Sequence, residues 1–121
     1  MSIQTLAVVP VHMEIGEICQ SLAAAFRGRV ITVFSRYNAN HKIVQLIDSA
    51  DVTREVDVFL NSYANDDYLA VVGGNSTLLA MPFDPIGTQC LARFAADYDG
   101  FYRQKDGDDW VRLGKVDKQS G

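Results

Sequence analysis

The 121-residue sequence predicts a small layered α/β domain with a mainly parallel central sheet, flanking helices and a C-terminal β-hairpin. Three observations carry that expectation. Leu6-Ala7-Val8-Val9-Pro10-Val11 and Arg29-Val30-Ile31-Thr32-Val33-Phe34-Ser35 are continuous apolar or β-branched runs of strand length, the pattern of strands covered on both faces. Between them Ile15, Ile18, Cys19, Leu22 and Phe26 recur along one helical stripe. A helix between consecutive strands returns the chain by a right-handed crossover, which makes the strands parallel.

The remaining elements follow in chain order. Glu14 and Glu17 lie where carboxylates favour the positive end of the first helix dipole, and Gly28 ends that helix as a left-handed cap. After the polar turn from Arg36 to Asn40, Ile43, Leu46, Ile47 and Ala50 share a helical face. Thr53 caps a further helix bearing Val56, Phe59, Leu60 and Tyr63. The turn Asn65-Asp66-Asp67 precedes a third strand, Tyr68 to Val72, which ends at Gly73-Gly74. Residues 75–83 have two readings: a short helix capped by Asn75 or Ser76, or the return strand of a hairpin. Asp84-Pro85 then opens a helix that runs to about Asp97 and buries Ile86, Cys90, Leu91 and Phe94, with Tyr98 next on that face. Two β-prone runs, Phe101 to Lys105 and Asp109 to Leu113, flank Asp106-Gly107-Asp108 as a hairpin. Residues 1–113 thus form one domain, and the polar residues 114–121 a flexible tail.

Gly28-Arg29-Val30 opening a strand, Asp67 to Gly73 closing one, and a final hairpin carrying Tyr102 and Trp110 resemble small α/β proteins encoded in tailed-phage genomes. The likeness covers about Gly28 to Leu113. Those proteins have a Gly-Asp-Pro type turn where this chain has Gly73-Gly74-Asn75-Ser76, and Pro82-Phe83-Asp84-Pro85 is a further departure. The resemblance implies a phage accessory protein, acting in the host cytoplasm, and no catalytic residue.

Composition narrows the function classes. A chain 48% hydrophobic with a net charge of -4 can bury enough surface to order itself, which excludes disorder. The acidic balance disfavours electrostatic binding to nucleic acid. No apolar stretch approaches the ~20 residues of a membrane span, and no basic-then-apolar leader is visible, so the cytoplasm is the expected compartment. Cys19 and Cys90 read as small buried hydrophobes, without a Cys-x-x-Cys pair.

Ligands of parallel sheets bind beyond the carboxyl ends of the strands. That rule gathers His12, Ser35, Arg36 and Gly73-Gly74-Asn75-Ser76-Thr77 on one rim, where free N–H groups, a cation and a titratable ring could hold a phosphate or carboxylate. The same residues equally make turns and caps, and they match neither standard phosphate-loop motif. No Gly-x-Ser-x-Gly elbow supports His12 with Ser35 or Ser76 as a base and nucleophile, and His12 reads better as a lead-in to the helix, His41 as a solvent-facing residue. Asn75-Ser76-Thr77 fits a glycosylation sequon, relevant only in a secretory compartment. Asp106, Asp108 and Asp109 lack the spacing of a calcium loop, so no metal and no cofactor are expected.

Phe101, Tyr102, Arg103, Trp110 and Arg112 are residue types enriched in interfaces and sit on a hairpin edge, although the rings could equally close the domain's own core. The expected function is a non-enzymatic interaction protein that binds another protein or itself. The alternative is a small phosphate- or nucleotide-binding protein, conceivably an enzyme, that uses the strand-end rim.

Overall fold

A computed structural model describes residues 4–37, 39–62, 76–105 and 109–112. The elements are β1 (Gln4–Val9), α1 (Ile15–Phe26), β2 (Arg29–Ser35), β3 (His41–Ile47), β4 (Thr53–Ser62), β5 (Ser76–Pro82), α2 (Pro85–Asp97) and β6 (Phe101–Arg103). They build one six-stranded sheet in the order β2-β3-β4-β5-β1-β6. Every neighbouring pair is antiparallel, which overturns the mainly parallel sheet that the sequence predicts.

The reversal has a local cause. Residues 43–50 and 53–63 carry a helical spacing of apolar side chains, yet 43–47 belong to β3 and 53–62 form β4, while Tyr63 lies outside the described residues. Ile43, Val44 and Leu46 are all buried because β3 is covered on both sides, and a strand of that kind has no period that separates it from a helix. In β4 the strand period wins: Val56 and Val58 are buried and alternate with the more accessible Glu55 and Asp57. The turn between them is tight. Asp48 accepts hydrogen bonds from the Ala50 and Val52 N–H groups at 2.8 and 3.0 Å, and Asp51 takes φ 64. With a hairpin in place of two helices, strand direction alternates. Of the two readings of residues 75–83 the strand is realised, as β5, whose Ser76 to Met81 are all buried. The strand expected at 68–72, and Gly73 to Asn75, lie outside the described residues.

Both helices pack on one face of the sheet. Ile18, Leu22 and Phe26 of α1 and Leu91, Phe94 and Ala95 of α2 meet Ala7, Val9, Val44, Leu46, Val56, Val58, Leu79 and Met81. Each of the large side chains among them contributes roughly 1.5–3 kcal/mol by leaving water. The stripe predicted for α1 is realised, with Cys19 half-buried at its margin. That of α2 is rotated from the prediction: Ile86 is exposed, whereas Gly87, Thr88 and Ala92 face inward. Asp84 caps α2 as expected, its carboxylate accepting the Gly87 N–H at 2.8 Å. On the opposite face a smaller cluster joins Leu6, Val8, Leu78 and Ala80 to Phe59, Phe101 and Trp110.

Both helices stop by the same device. At the end of α1, Gly28 N–H donates to Ala23 and Arg27 N–H to Ala24, and at the end of α2 Gly100 donates to Ala95 and Asp99 to Ala96. The left-handed residues are Arg27 (φ 54) and Asp99 (φ 58), so Gly28 is not the left-handed cap that the sequence suggests. The glycines serve instead for close approach: a Cβ on Gly28 would collide with the Ile47 carbonyl, and one on Gly100 with the Val8 carbonyl.

Gly100→Ala should therefore lower stability by about 2 kcal/mol or more, while Asp99→Gly should relieve about 1 kcal/mol of left-handed strain. Thermal unfolding of the two variants checks both signs; a tolerated Gly100→Ala would show that the approach to β1 is not tight.

Candidate functional site

The antiparallel order divides the rim predicted from the sequence. β1 and β2 do end at the same side of the sheet, but β3, β4 and β5 lie between them. At about 4.8 Å per strand that is a separation of about 19 Å. His12 and Thr77 come together, since Val9 pairs with Thr77 across β1 and β5. The Thr77 hydroxyl is committed there: it donates to the Val11 carbonyl at 2.9 Å and accepts from the Met13 N–H at 3.3 Å, clasping the loop into α1. Ser76 is buried, and His12 places Nε2 3.5 Å from the Glu14 carboxylate. Ser35 and Arg36 form a separate pair of positions at the sheet edge, where Ser35 accepts from Lys42 at 3.0 Å and Arg36 stands over the Tyr37 ring at 5.5 Å. Gly73, Gly74 and Asn75 lie outside the described residues.

His41 does not simply face solvent. It stacks on Phe59 at 4.3 Å and sets Nε2 3.4 Å from the Asp57 carboxylate.

At the other edge, the residues expected to form an interface are engaged within the fold. Tyr102 exchanges two 2.8 Å backbone hydrogen bonds with Val111, as the predicted hairpin requires; its tip at 106–108 lies outside the described residues. Tyr102 packs against the helix-side core, while Phe101 and Trp110 cover Leu6, Val8, Leu78 and Ala80. Arg103 lies over the Trp110 ring at 4.6 Å, and Arg112 reaches the Asp99 carboxylate at 3.6 Å.

Among the described residues, β2 has no partner strand on its outer side. Arg36 N–H donates to the His41 carbonyl of β3, so alternation turns the backbone groups of Ser35 and Val33 away from the sheet. Every residue of β2 except Val30 is exposed, and they include Ile31 (47%), Val33 (36%) and Phe34 (44%), followed by Tyr37 (78%). A bulge between Val30 and Thr32 confines the regular part of the edge to Thr32–Ser35. The edge is also cationic at both ends: residues 18–47 contain no Asp or Glu but hold Arg27, Arg29, Arg36 and Lys42. Sequence reasoning missed this edge, although that acid-free interval in a chain of net charge -4 was a visible signal.

A third feature is a partly buried ion triad. Arg54 on β4 donates through Nε to Asp48 at 3.0 Å and through a terminal nitrogen to Asp84, which ties the β3–β4 turn to the start of α2. Beside it Thr53, Arg54, Glu55, Met81, Pro82 and Asp84 line a cavity of about 180 Å³. Desolvation pulls the Arg54 pKa down, but the Asp48 hydrogen bond and the two carboxylate charges outweigh it and hold the guanidinium firmly protonated. The Val52 N–H, the Arg54 hydrogen bond and the Ala50 N–H hold the Asp48 carboxyl below its usual range despite burial. Every charge here faces a partner, so the triad serves as a clamp.

Burial pushes both thiols, Cys19 and Cys90, above their usual pKa, which suits packing rather than nucleophilic work. Among the described residues no three His, Cys, Asp or Glu side chains cluster as metal ligands, and no helix is long and apolar enough to cross a membrane. No protein-family model, curated protein or solved structure matches the chain significantly.

The clamp has a pH signature. Because the folded-state pKa of Asp48 lies below its unfolded value, its stabilisation is present above about pH 4 and is lost as pH falls through the folded value. Denaturant titrations should show wild-type stability declining more steeply on the acid side than that of Asp48→Asn; parallel acid limbs would remove Asp48 from the clamp. Arg54→Met leaves two carboxylates without their cation and should cost about 2 kcal/mol.

Proposed function

We propose that this protein is a non-enzymatic interaction module that receives an extended segment of another protein along the β2 edge. The single observation that carries this reading is the exposed apolar edge strand itself. A sheet edge of this kind is a template for strand pairing unless something blunts it, and Thr32–Ser35 contains neither proline nor charge. Backbone hydrogen bonds would supply affinity, and the exposed Val33 and Phe34 would supply contacts on alternate faces.

The charges favour a foreign segment over a second copy. In an antiparallel β2–β2 pairing centred on Thr32, Arg29 of one copy falls opposite Ser35 of the other with Arg36 next along, so like charges gather at both ends of the pairing. An incoming strand with an apolar middle and acidic flanks meets Arg29 at one end and Arg36 with Lys42 at the other. The phosphate-binding alternative at the strand ends is not carried forward, since its residues fall into two groups on different strands. A tailed-phage accessory role rests on the sequence resemblance alone.

Val33→Pro removes one outward-facing N–H without taking a donor from the β3 ladder. A peptide with a Val-Thr-Val core flanked by aspartates should bind the wild type, protect the Ser35 amide from exchange and lose affinity about tenfold or more with Val33→Pro, with its binding weakened by salt. Equal binding by the variant would overturn the reading. A wild-type dimer that Val33→Pro dissociates would transfer the edge to a second copy.

A further inference from the structure

The end of the sheet opposite the loop into α1 carries a second feature, independent of the β2 edge. Ile86, Gln89, Cys90 and Arg93 follow one another at i, i+3, i+4 and i+7 along α2. Facing them are Ala25, Phe26 and Arg27 at the end of α1 and Ser49 in the β3–β4 turn, and together these residues enclose a cavity of about 320 Å³. Two of the lining residues, Arg27 and Arg93, are arginines. Among the described residues, neither Arg27 nor Arg93 has a carboxylate within ion-pair distance; Asp97, one turn beyond Arg93, is not within reach.

We infer that this cavity is a binding site for a small organic phosphate. The guanidinium fork matches phosphate oxygens in bidentate fashion, and two such groups supply the two charges of a phosphate monoester. Ser49 and Gln89 add neutral hydrogen-bonding groups, while Ala25, Phe26 and Ile86 offer an apolar wall for the organic part. Ile86, which leaves the core and is half-exposed here, has a role on this reading. Asp48 and Asp84, whose charges are felt at Cys90, are both engaged by Arg54, which offsets one of their two negative charges. Cys90, kept neutral by burial, does not repel an anion. The site binds; none of its groups is poised to break a bond.

The test is a heteronuclear NMR titration at low salt with phenyl phosphate and, separately, inorganic phosphate. Saturable shifts should centre on the Arg27, Ser49 and Gln89 amides, with phenyl phosphate the tighter of the two because of the apolar wall. Arg27→Gln and Arg93→Gln, both at exposed positions, should each weaken binding about tenfold or more with melting temperatures unchanged. Absence of saturable shifts with either probe, or shifts that survive in the double variant, would overturn the proposal, as would equal competition by chloride. Val33→Pro should bind phenyl phosphate like the wild type, which separates the fate of this site from that of the β2 edge.

Discussion

The fold depends on the pairing of β1 with β5. Six consecutive residue pairs, from Gln4 with Pro82 to Val9 with Thr77, join parts of the chain some seventy positions apart, and Thr5 to Val9 are all buried. Once that ladder is formed, the other elements have their places. β6 adds to the free side of β1, β4 to the free side of β5, and the loop into α1 is held by the Thr77 hydroxyl. The Thr5 hydroxyl lies 3.0 Å from that of Thr88, registering α2 against the same strand. A strand drawn from the start of the chain and used at the interior of the sheet must have both faces covered, and the two apolar clusters on either side of it do so.

A division of labour between the two edges follows. At the β6 edge the rings of Phe101 and Trp110 are turned onto the sheet, and the Tyr102 backbone is paired with Val111. At the β2 edge only Val30 packs against the helix-side core, and among the described residues no strand pairs with the outer side of this exposed run of Val, Ile, Thr and Phe. The same residue types therefore act as core on one side and as accessible surface on the other. Position in the strand order decides which, since only a partner strand or a helix can shield an edge.

The ends of the two helices are the other place where structure and function meet. Each chain reversal is enforced by a glycine against a strand carbonyl, with a left-handed Arg27 or Asp99 before it. At α1 that reversal brings Arg27 to the same cavity as Arg93 and Ser49, a grouping of residues far apart in the sequence. The ion triad of Asp48, Arg54 and Asp84 holds the β3–β4 turn, which carries Ser49, to the start of α2, which carries Ile86 and Gln89, so two walls of the cavity are braced together.

By itself the sequence determined α1 and α2, the first two strands, the Asp84 cap and the pairing of the terminal hairpin, because each rests on interactions within a dozen or so residues: helical stripes, capping carboxylates and turn chemistry. It could not settle β3 and β4: consecutive burial of Ile43 and Val44 breaks the alternation that marks a strand, and Val56, Phe59 and Leu60 satisfy a helical spacing even though Val56 and Val58 alternate with Glu55 and Asp57. With those two elements read as helices, a parallel sheet and a single rim of His12, Ser35, Arg36 and Thr77 followed, and both dissolve once the hairpin is in place. Strand order, the open edge and the convergence of Arg27 with Arg93 were decided only by tertiary structure. They depend on pairings between distant segments, and such pairings are chosen by which faces must be buried together.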